Sequence, residues 1–317
     1  MSKTSGKKHI LITGGAGYVG VPTVDLLLKK GCRVRVFDNL SWGGNVLLPY
    51  LGNKNFSFVK GDVRNKRELK QAFKGIDSVI HLAAIVGYPA CRKFPKMSRD
   101  VNVKGTKNVV DLAGGKIPVI FSSTGSAYGK IIEEYCTETT PLNPLSNYGR
   151  QKVKAEEIVK KNKGKYVIYR YATAFGVAPR FRLDLLINDF TLRAVTEKTL
   201  IVYQKEFMRT FIHVKDMARS LLFALDNYKK MKGQIFNVGS ESMNMSKEGV
   251  AKLLQKYLNY YLHFVEVGYD VDQRDYVVDF KKIRKHGFRT TINIEEGIKE
   301  LIKASEVIDV RNPYSNV

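Results

Sequence analysis

The feature that most constrains this chain is a glycine-rich turn placed between two apolar segments. His9-Ile10-Leu11-Ile12-Thr13 is a short apolar run that stops at Gly14-Gly15-Ala16-Gly17-Tyr18-Val19-Gly20. Such a run reads as a buried parallel strand. From Val19 to Lys30, apolar residues recur at Val21, Val24, Leu27 and Leu28, a helical spacing, and Gly31 is placed to end the helix. Gly15, Gly17 and Gly20 fit GxGxxG, while Gly14, Gly17 and Gly20 fit GxxGxxG. Glycine suits this turn because the backbone bends sharply and must approach a pyrophosphate with no Cβ in the way. The open N–H groups and positive dipole end of the helix then receive the phosphate charge. Gly14, Gly17, Tyr18 and Val19 are therefore candidates for binding a dinucleotide.

Arg33-Val34-Arg35-Val36-Phe37-Asp38 reads as the next strand, ending in an acidic residue. A carboxylate there accepts hydrogen bonds from the adenosine ribose and repels a 2′-phosphate, which favours NAD over NADP. Phe56–Val59, Ser78–Leu82 and Val119–Ser122 repeat the strand pattern, with helix-like segments between. This alternation implies an α/β fold, a Rossmann-type doubly wound parallel sheet with helices on both faces. After about Phe175 the pattern becomes less regular. The expectation is an NAD-binding domain over 1–175 and a smaller C-terminal substrate-binding lobe over 176–317, with about 210–240 returning to the Rossmann core.

The 317-residue chain carries 53 Lys+Arg against 30 Asp+Glu, a net charge of +23. That excess makes phosphorylated ligands and nucleic acid worth considering. However, the lysine pairs 29-30, 160-161, 229-230 and 281-282 are well separated, as on a solvated surface. A charged fraction of 26% is ordinary for a globular protein and argues against disorder. Cys32, Cys91 and Cys136 are widely spaced, with no CxxC, so they read as buried small hydrophobes rather than a disulfide or metal framework. No run approaches the ~20 apolar residues of a membrane span, and no signal-peptide core follows the basic N-terminus. The expectation is a soluble, cytoplasmic protein without a metal site.

Tyr148-Gly149-Arg150-Gln151-Lys152 places a phenol and an ammonium at i and i+4 on one helical face. The same spacing at Tyr50/Lys54 and Tyr228/Lys232 reads as chance in a chain rich in both residues. Tyr148 differs because it follows the glycine turn and Asp38, starts a helix-like segment, and comes after Thr124. A phenol titrates near pH 10, and lowering that by ~3 units takes ~4 kcal/mol of preference for the phenolate. A neighbouring Lys⁺ and an oxidised nicotinamide can supply it. Tyr148 would then remove a proton from a sugar hydroxyl as hydride leaves the same carbon, with Thr124 orienting the oxygen.

These residues resemble an extended short-chain dehydrogenase/reductase of the NAD-dependent nucleotide-sugar epimerase/dehydratase group. The likeness rests on the glycine turn, Gly61-Asp62-Val63, His81-Leu82-Ala83-Ala84, Ser122–Gly129 and Tyr148–Lys152. Arg209–Asp216 and Phe236-Asn237-Val238-Gly239 extend it into the second half. The resemblance implies that Asp62 and Val63 meet the adenine, that Leu82, Ala83 and Ala84 pass beneath the cofactor, and that Asn39 joins Asp38 in binding it. It also assigns the catalytic Ser/Thr, Tyr and Lys to Thr124, Tyr148 and Lys152. The 178–191 stretch is similar to a bacterial surface-polysaccharide branch that includes GDP-heptose 4-dehydrogenases.

In sugar 4,6-dehydratases of this family an Asp-Glu pair follows the catalytic threonine; here Gly125 and Ser126 stand there, which disfavours dehydration. Ser126 also replaces the cysteine that carbon-acid epimerases of the wider family use in this loop. What remains is reversible oxidation of a sugar hydroxyl, at C4. Return of hydride to the other face of the keto sugar gives a nucleotide-sugar 4-epimerase, which family frequency favours; release of the keto sugar gives a 4-dehydrogenase. The substrate diphosphate needs cations, and Arg209 and Arg274 match family arginines able to make forked hydrogen bonds to phosphate. Arg180, with Arg182, joins that grip, faces the sugar or lies on the surface; Asn188 is a further substrate-contact candidate. His81 and His213 read as packed strand residues. Members of the family commonly form homodimers. A non-catalytic dinucleotide-dependent RNA-binding or redox-sensing protein is the competing class, favoured by the charge and opposed by the complete Thr-Tyr-Lys set.

Overall fold

The computed structural model describes residues 8–129, 135–266 and 275–308. In chain order its strands are β1 (His9–Thr13), β2 (Arg33–Asp38), β3 (Phe56–Lys60), β4 (Ser78–His81), β5 (Val119–Thr124) and β6 (Tyr166–Tyr171), then β7 (Thr173–Phe175), β8 (Thr199–Tyr203), β9 (Met208–His213), β10 (Gln234–Val238), β11 (Asn244–Ser246) and β12 (Tyr261–Val265). The large sheet runs β3-β2-β1-β4-β5-β6-β10 with every neighbouring pair parallel. Its order reverses between β1 and β4, where ligand crevices form in doubly wound sheets.

All five residues of β1 are buried, because helices cover both faces of the sheet. Ile10 and Ile12 enter one core with Val24, Leu27 and Leu221, while Leu11 points into the other with Val79, Val109 and Val159. The period of two thus survives in a strand whose sequence is continuously apolar. The helix Gly20–Lys29 buries Val21, Val24, Leu27 and Leu28, the residues its spacing singles out, and Gly31 follows with φ +82°.

A third core, away from the large sheet, gathers Phe175, Ile187, Phe190, Leu200, Phe211, Val250 and Ile298. The sheets beside it are β11-β9-β7 and β12-β8. The helix Val214–Asp226 contributes Leu221 and Leu225 to the first core, and β10 becomes the edge strand beside β6. Within the 210–240 stretch, β9 instead stays in the three-stranded sheet, paired with β7 and β11.

A buried ion pair fixes the helix Asn147–Lys160 against the sheet. Glu156 Oε2 lies 2.8 Å from Arg170 Nη2 on β6, and Glu156 Oε1 accepts a 2.5 Å hydrogen bond from Ser123 Oγ on β5. Losing one partner would strand a buried charge. Cys91 and Cys136 are buried as expected, but Cys32 is only half-buried, because it follows the surface turn at Gly31. Among the described residues no helix is long and apolar enough to cross a membrane.

Candidate active site

A cavity of about 1170 Å³ opens at the carboxyl ends of β1, β4 and β5. Gly14, Gly17, Tyr18, Val19, Asp38, Asn39, Asp62, Val63, Leu82, Ala83 and Ala84 all line it. So do Thr124, Tyr148 and Lys152, and so do Arg180 and Arg209 from the second half of the chain.

Gly14 has φ +74°, and a Cβ there would lie 2.6 Å from the Ala83 nitrogen. Glycine is thus required by both the left-handed backbone and the close approach of the segment after β4. Gly20 faces the carbonyl of Gly14 so closely that a Cβ would overlap it. The helix that starts there has no side-chain cap; Val21 N–H donates to the Gly17 carbonyl at 3.1 Å and Pro22 has no N–H, so its positive dipole end rather than its first-turn donors faces the cavity. Asp38 is held by two backbone donors, Ala16 N–H at 3.0 Å and Leu40 N–H at 2.8 Å. Burial pushes its pKa up, and those two hydrogen bonds oppose the shift. Asn39 donates to Asp62 at 3.4 Å, and Arg64 pairs with Asp62 at 2.7 Å. Burial works against charge on Asp62, but Arg64 more than offsets it and holds the carboxyl below its usual range. Tyr18 donates its phenol to the Gly176 carbonyl at 2.6 Å, tying the turn to the second half.

Ser146 caps the helix Asn147–Lys160 by accepting from Gly149 N–H at 3.0 Å, which puts Tyr148 in the first turn. Lys152, one turn on, is 4% exposed; its Nζ donates to the Ser122 carbonyl at 2.5 Å and sits 4.6 Å from the Phe121 ring centre. Burial lowers its pKa to about 8, with Glu156 and Cys91 opposing. Thr124 ends β5, and its hydroxyl donates to Ser126 Oγ at 3.1 Å while accepting from Ser126 N–H at 3.1 Å. Arg182 pairs with Asp184 at 2.5 Å, and its charge also interacts with Tyr148.

His81 lies behind the cavity wall between the hydroxyls of Thr13 (2.7 Å) and Thr106 (3.0 Å), and burial lowers its pKa to about 3. His213 is buried, with Glu300 at 2.8 Å. Neither lines the cavity.

On the far side, Arg209 is 2% exposed on β9, with Nη1 donating to the Met208 carbonyl at 3.0 Å. The Arg180 guanidinium lies 4.7 Å from the Trp42 ring centre, a cation–π contact with the loop that follows Asp38 and Asn39. It therefore joins the second half of the chain to the loop after β2. The Asn188 side chain is buried beside the lining residues Leu186 and Asp189. Asn188 Oδ1 accepts from Gly176 N–H at 2.9 Å and its Nδ2 donates to the Arg182 carbonyl at 2.8 Å, so it braces the loop that carries Arg182. Arg274 lies outside the described residues.

Residues 10–239 match the NAD dependent epimerase/dehydratase family. The chain belongs to that family. It is an enzyme of nucleotide-sugar epimerase/dehydratase type, and its cofactor is NAD. A putative UDP-glucose 4-epimerase of Methanocaldococcus jannaschii is 30% identical, covering 92% of this chain and 97% of the relative. A CDP-paratose 2-epimerase of Salmonella typhi is 29% identical over 92% of this chain and 97% of its own. The UDP-glucose 4-epimerase of Thermus thermophilus, solved in complex with NAD, superposes with a TM-score of 0.82 at 25% identity, covering 94% of this chain and 99% of that one. The uncapped helix start, the Gly14 cradle and the Asp38 carboxylate fit such a cofactor: anion, backbone and ribose each find a matching group.

Several lining residues of this family member had no sequence signal. Trp42, Thr173, Asp184, Asp189 and Tyr276 all reach the cavity. Thr173 Oγ1 is buried with no hydrogen-bond partner among the described residues. The one available clue was Asn188-Asp189, a polar pair interrupting an otherwise apolar run from Leu185 to Phe190.

Proposed function

We propose that this enzyme is a nucleotide-sugar 4-epimerase, oxidising the C4 hydroxyl and reducing the resulting keto sugar on its opposite face. The observation that carries this reading is the convergence of Thr124, Tyr148 and Lys152 on the cavity that also holds the Gly14 cradle. When bound, NAD supplies a two-electron hydride acceptor. Tyr148 takes the hydroxyl proton, and Thr124 orients the oxygen by hydrogen bonding. The Arg182 guanidinium places positive charge near the Tyr148 phenol, and Lys152, one helical turn on from Tyr148, adds to it in this reading, which favours the phenolate. Gly125 and Ser126, in the turn beyond Thr124, offer no carboxylate for eliminating water.

In this reading residues 1–175 hold NAD. Most of 176–317 holds the nucleotide diphosphate, with Val214–Asp226 and β10 completing the first half. Arg209 grips the phosphates, and Arg274 is its proposed second cation. Arg180 supports both halves of the cavity through its contact with Trp42.

The test is a screen of UDP-, GDP-, CDP- and dTDP-sugars with purified enzyme, following C4 stereochemistry and bound NADH absorbance. Equilibration of C4 stereoisomers is the expected result. Accumulation of free keto sugar with NADH would replace the epimerase by a dehydrogenase. A sample inactive on every nucleotide sugar, yet binding RNA in a salt-sensitive way, would sink both.

A further inference from the structure

Trp42 is the chain's one tryptophan, and it sits 41% exposed in the loop that follows Asp38 and Asn39. Leu40 and Gly43 on either side of it have left-handed backbones, with φ of +60° and +85°, and Ser41 and Gly43 are exposed with it. A large ring on such a loop is not held in place by burial. What it meets is the Arg180 guanidinium, 4.7 Å from the ring centre. Arg180 is 3% exposed, and its Nη1 donates to the Phe181 carbonyl at 3.0 Å. The buried cation therefore holds the exposed ring.

Both ends of this stack are attached to the walls that the reading above gives to NAD. Ala178, two residues before Arg180, shares a small apolar cluster with Tyr18 of the glycine turn, and Val19 packs against it. Trp42 lies four residues beyond Asp38, whose carboxylate accepts from Ala16 N–H in that same turn at 3.0 Å. The contacts form a closed circuit: Ala16 holds Asp38, the loop runs on to Trp42, Trp42 meets Arg180, and Ala178 returns to Tyr18. Gly17, Asp38, Trp42 and Arg180 all line the one cavity. Burial pushes the Arg180 pKa down to about 10, with Arg182 adding to the shift and Asp184 opposing it. A phosphate-bearing ligand in the cavity offsets that cost and favours the closed circuit.

We propose that Trp42 and Arg180 act together as a clasp that sets how long the enzyme retains its NAD. This rests on the nucleotide-sugar reading above and deepens it. An epimerase must keep its cofactor until the keto sugar has been reduced, whereas a dehydrogenase must let it go. Parting the ring from the guanidinium opens the circuit, so the strength of that one contact enters the release rate. Trp42 suits a part that moves, because swinging an exposed ring aside uncovers no hydrophobic core. Both are positioning residues, and neither is assigned to the reacting carbon.

Exchange of bound NAD for isotopically labelled NAD in the purified holoenzyme, with no sugar present, tests this. Trp42→Ala and Arg180→Met should each exchange NAD about fivefold faster than the wild type, the scale of one cation–π contact. The double variant should match the single ones within about twofold, because both substitutions remove the same contact. A wild-type rate in Trp42→Ala would overturn the proposal, and so would a double variant whose rate multiplies the two single effects. Arg180→Lys, which keeps the cation, should exchange NAD more slowly than Arg180→Met; equal rates would show that packing alone holds the loop. Titration of the same proteins with UDP and GDP separates the two sources of phosphate. An Arg180→Met enzyme that loses about tenfold in nucleotide affinity yet exchanges NAD at the wild-type rate would assign Arg180 to the substrate diphosphate and remove the clasp. NAD exchange needs no turnover, so a failed sugar screen would leave the clasp standing, and wild-type exchange rates would leave the C4 chemistry standing.

Discussion

The two ends of the cavity hold their polar groups differently. At the NAD end, Asp38 already accepts from two backbone N–H groups, Asp62 is paired with Arg64, and Tyr18 donates to Gly176. Among the residues lining the other end, Thr173 Oγ1 is buried with no hydrogen-bond partner among the described residues. The first end is pre-organised by its own backbone, so its geometry stands before any ligand arrives. The second leaves a hydroxyl to be matched by the ligand, and mismatched ligands are rejected there because a buried group stays unpaired. An enzyme that uses one cofactor for a specific substrate gains from this division. Retention belongs at the rigid end and discrimination at the unsatisfied one.

The comparison is broken most directly at the point where the ends meet. Tyr148→Phe should lower kcat by roughly 10²–10⁴-fold while NAD content and nucleotide affinity remain. Turnover assays beside cofactor quantification check this, and parallel loss of NAD would move Tyr148 from the reaction to the cofactor end. Next in size, Glu156→Ala leaves Arg170 buried without its carboxylate and should cost about 3–5 kcal/mol of stability. Urea unfolding measures it; a change below 1 kcal/mol on the order of a surface ion pair would mean the pair does not fix the helix Asn147–Lys160.

Gly14→Ala tests the rigid end alone. Its positive φ costs roughly 1–2 kcal/mol for an alanine, and the new Cβ would press on Ala83. Loss of NAD with GDP and UDP affinities unchanged is expected; equal loss at both ends would show that they are not separable. The remaining prediction concerns pH and His81. Its folded pKa of about 3 lies below the unfolded value near 6.5, so the unfolded chain binds the extra proton between those values. The stability His81 contributes is complete above about pH 6.5 and falls as pH drops toward 3, by at most ~1.4 kcal/mol per pH unit. His81→Gln should flatten the acid limb of the stability profile, and an unchanged slope would show that other groups set it.

Much of the NAD end was legible in the sequence because its signals are local. The glycine turn, the residue ending the next strand and the i, i+4 pair on the helix each need only a few consecutive residues. The surroundings of Asn188 were not legible, for the opposite reason. A polar residue in an apolar run announces that its amide has partners, but not whether those partners are ligand or backbone. Here they are Gly176 and Arg182. The Arg180–Trp42 contact was equally hidden, because it joins loops that are far apart along the chain.

What the sequence by itself determined was the parallel α/β framework and the dinucleotide turn, since both follow from short-range steric and periodic rules. The family resemblance added the identity of the Thr124, Tyr148 and Lys152 set. What only the tertiary structure decided was which of the remaining charges are neutralised within the protein. Arg182 pairs with Asp184 and Arg170 with Glu156, each through a partner that the sequence alone does not single out. That outcome depends on the packing of distant segments around separate cores, and electrostatic pairing falls off too steeply with distance for sequence spacing to reveal it.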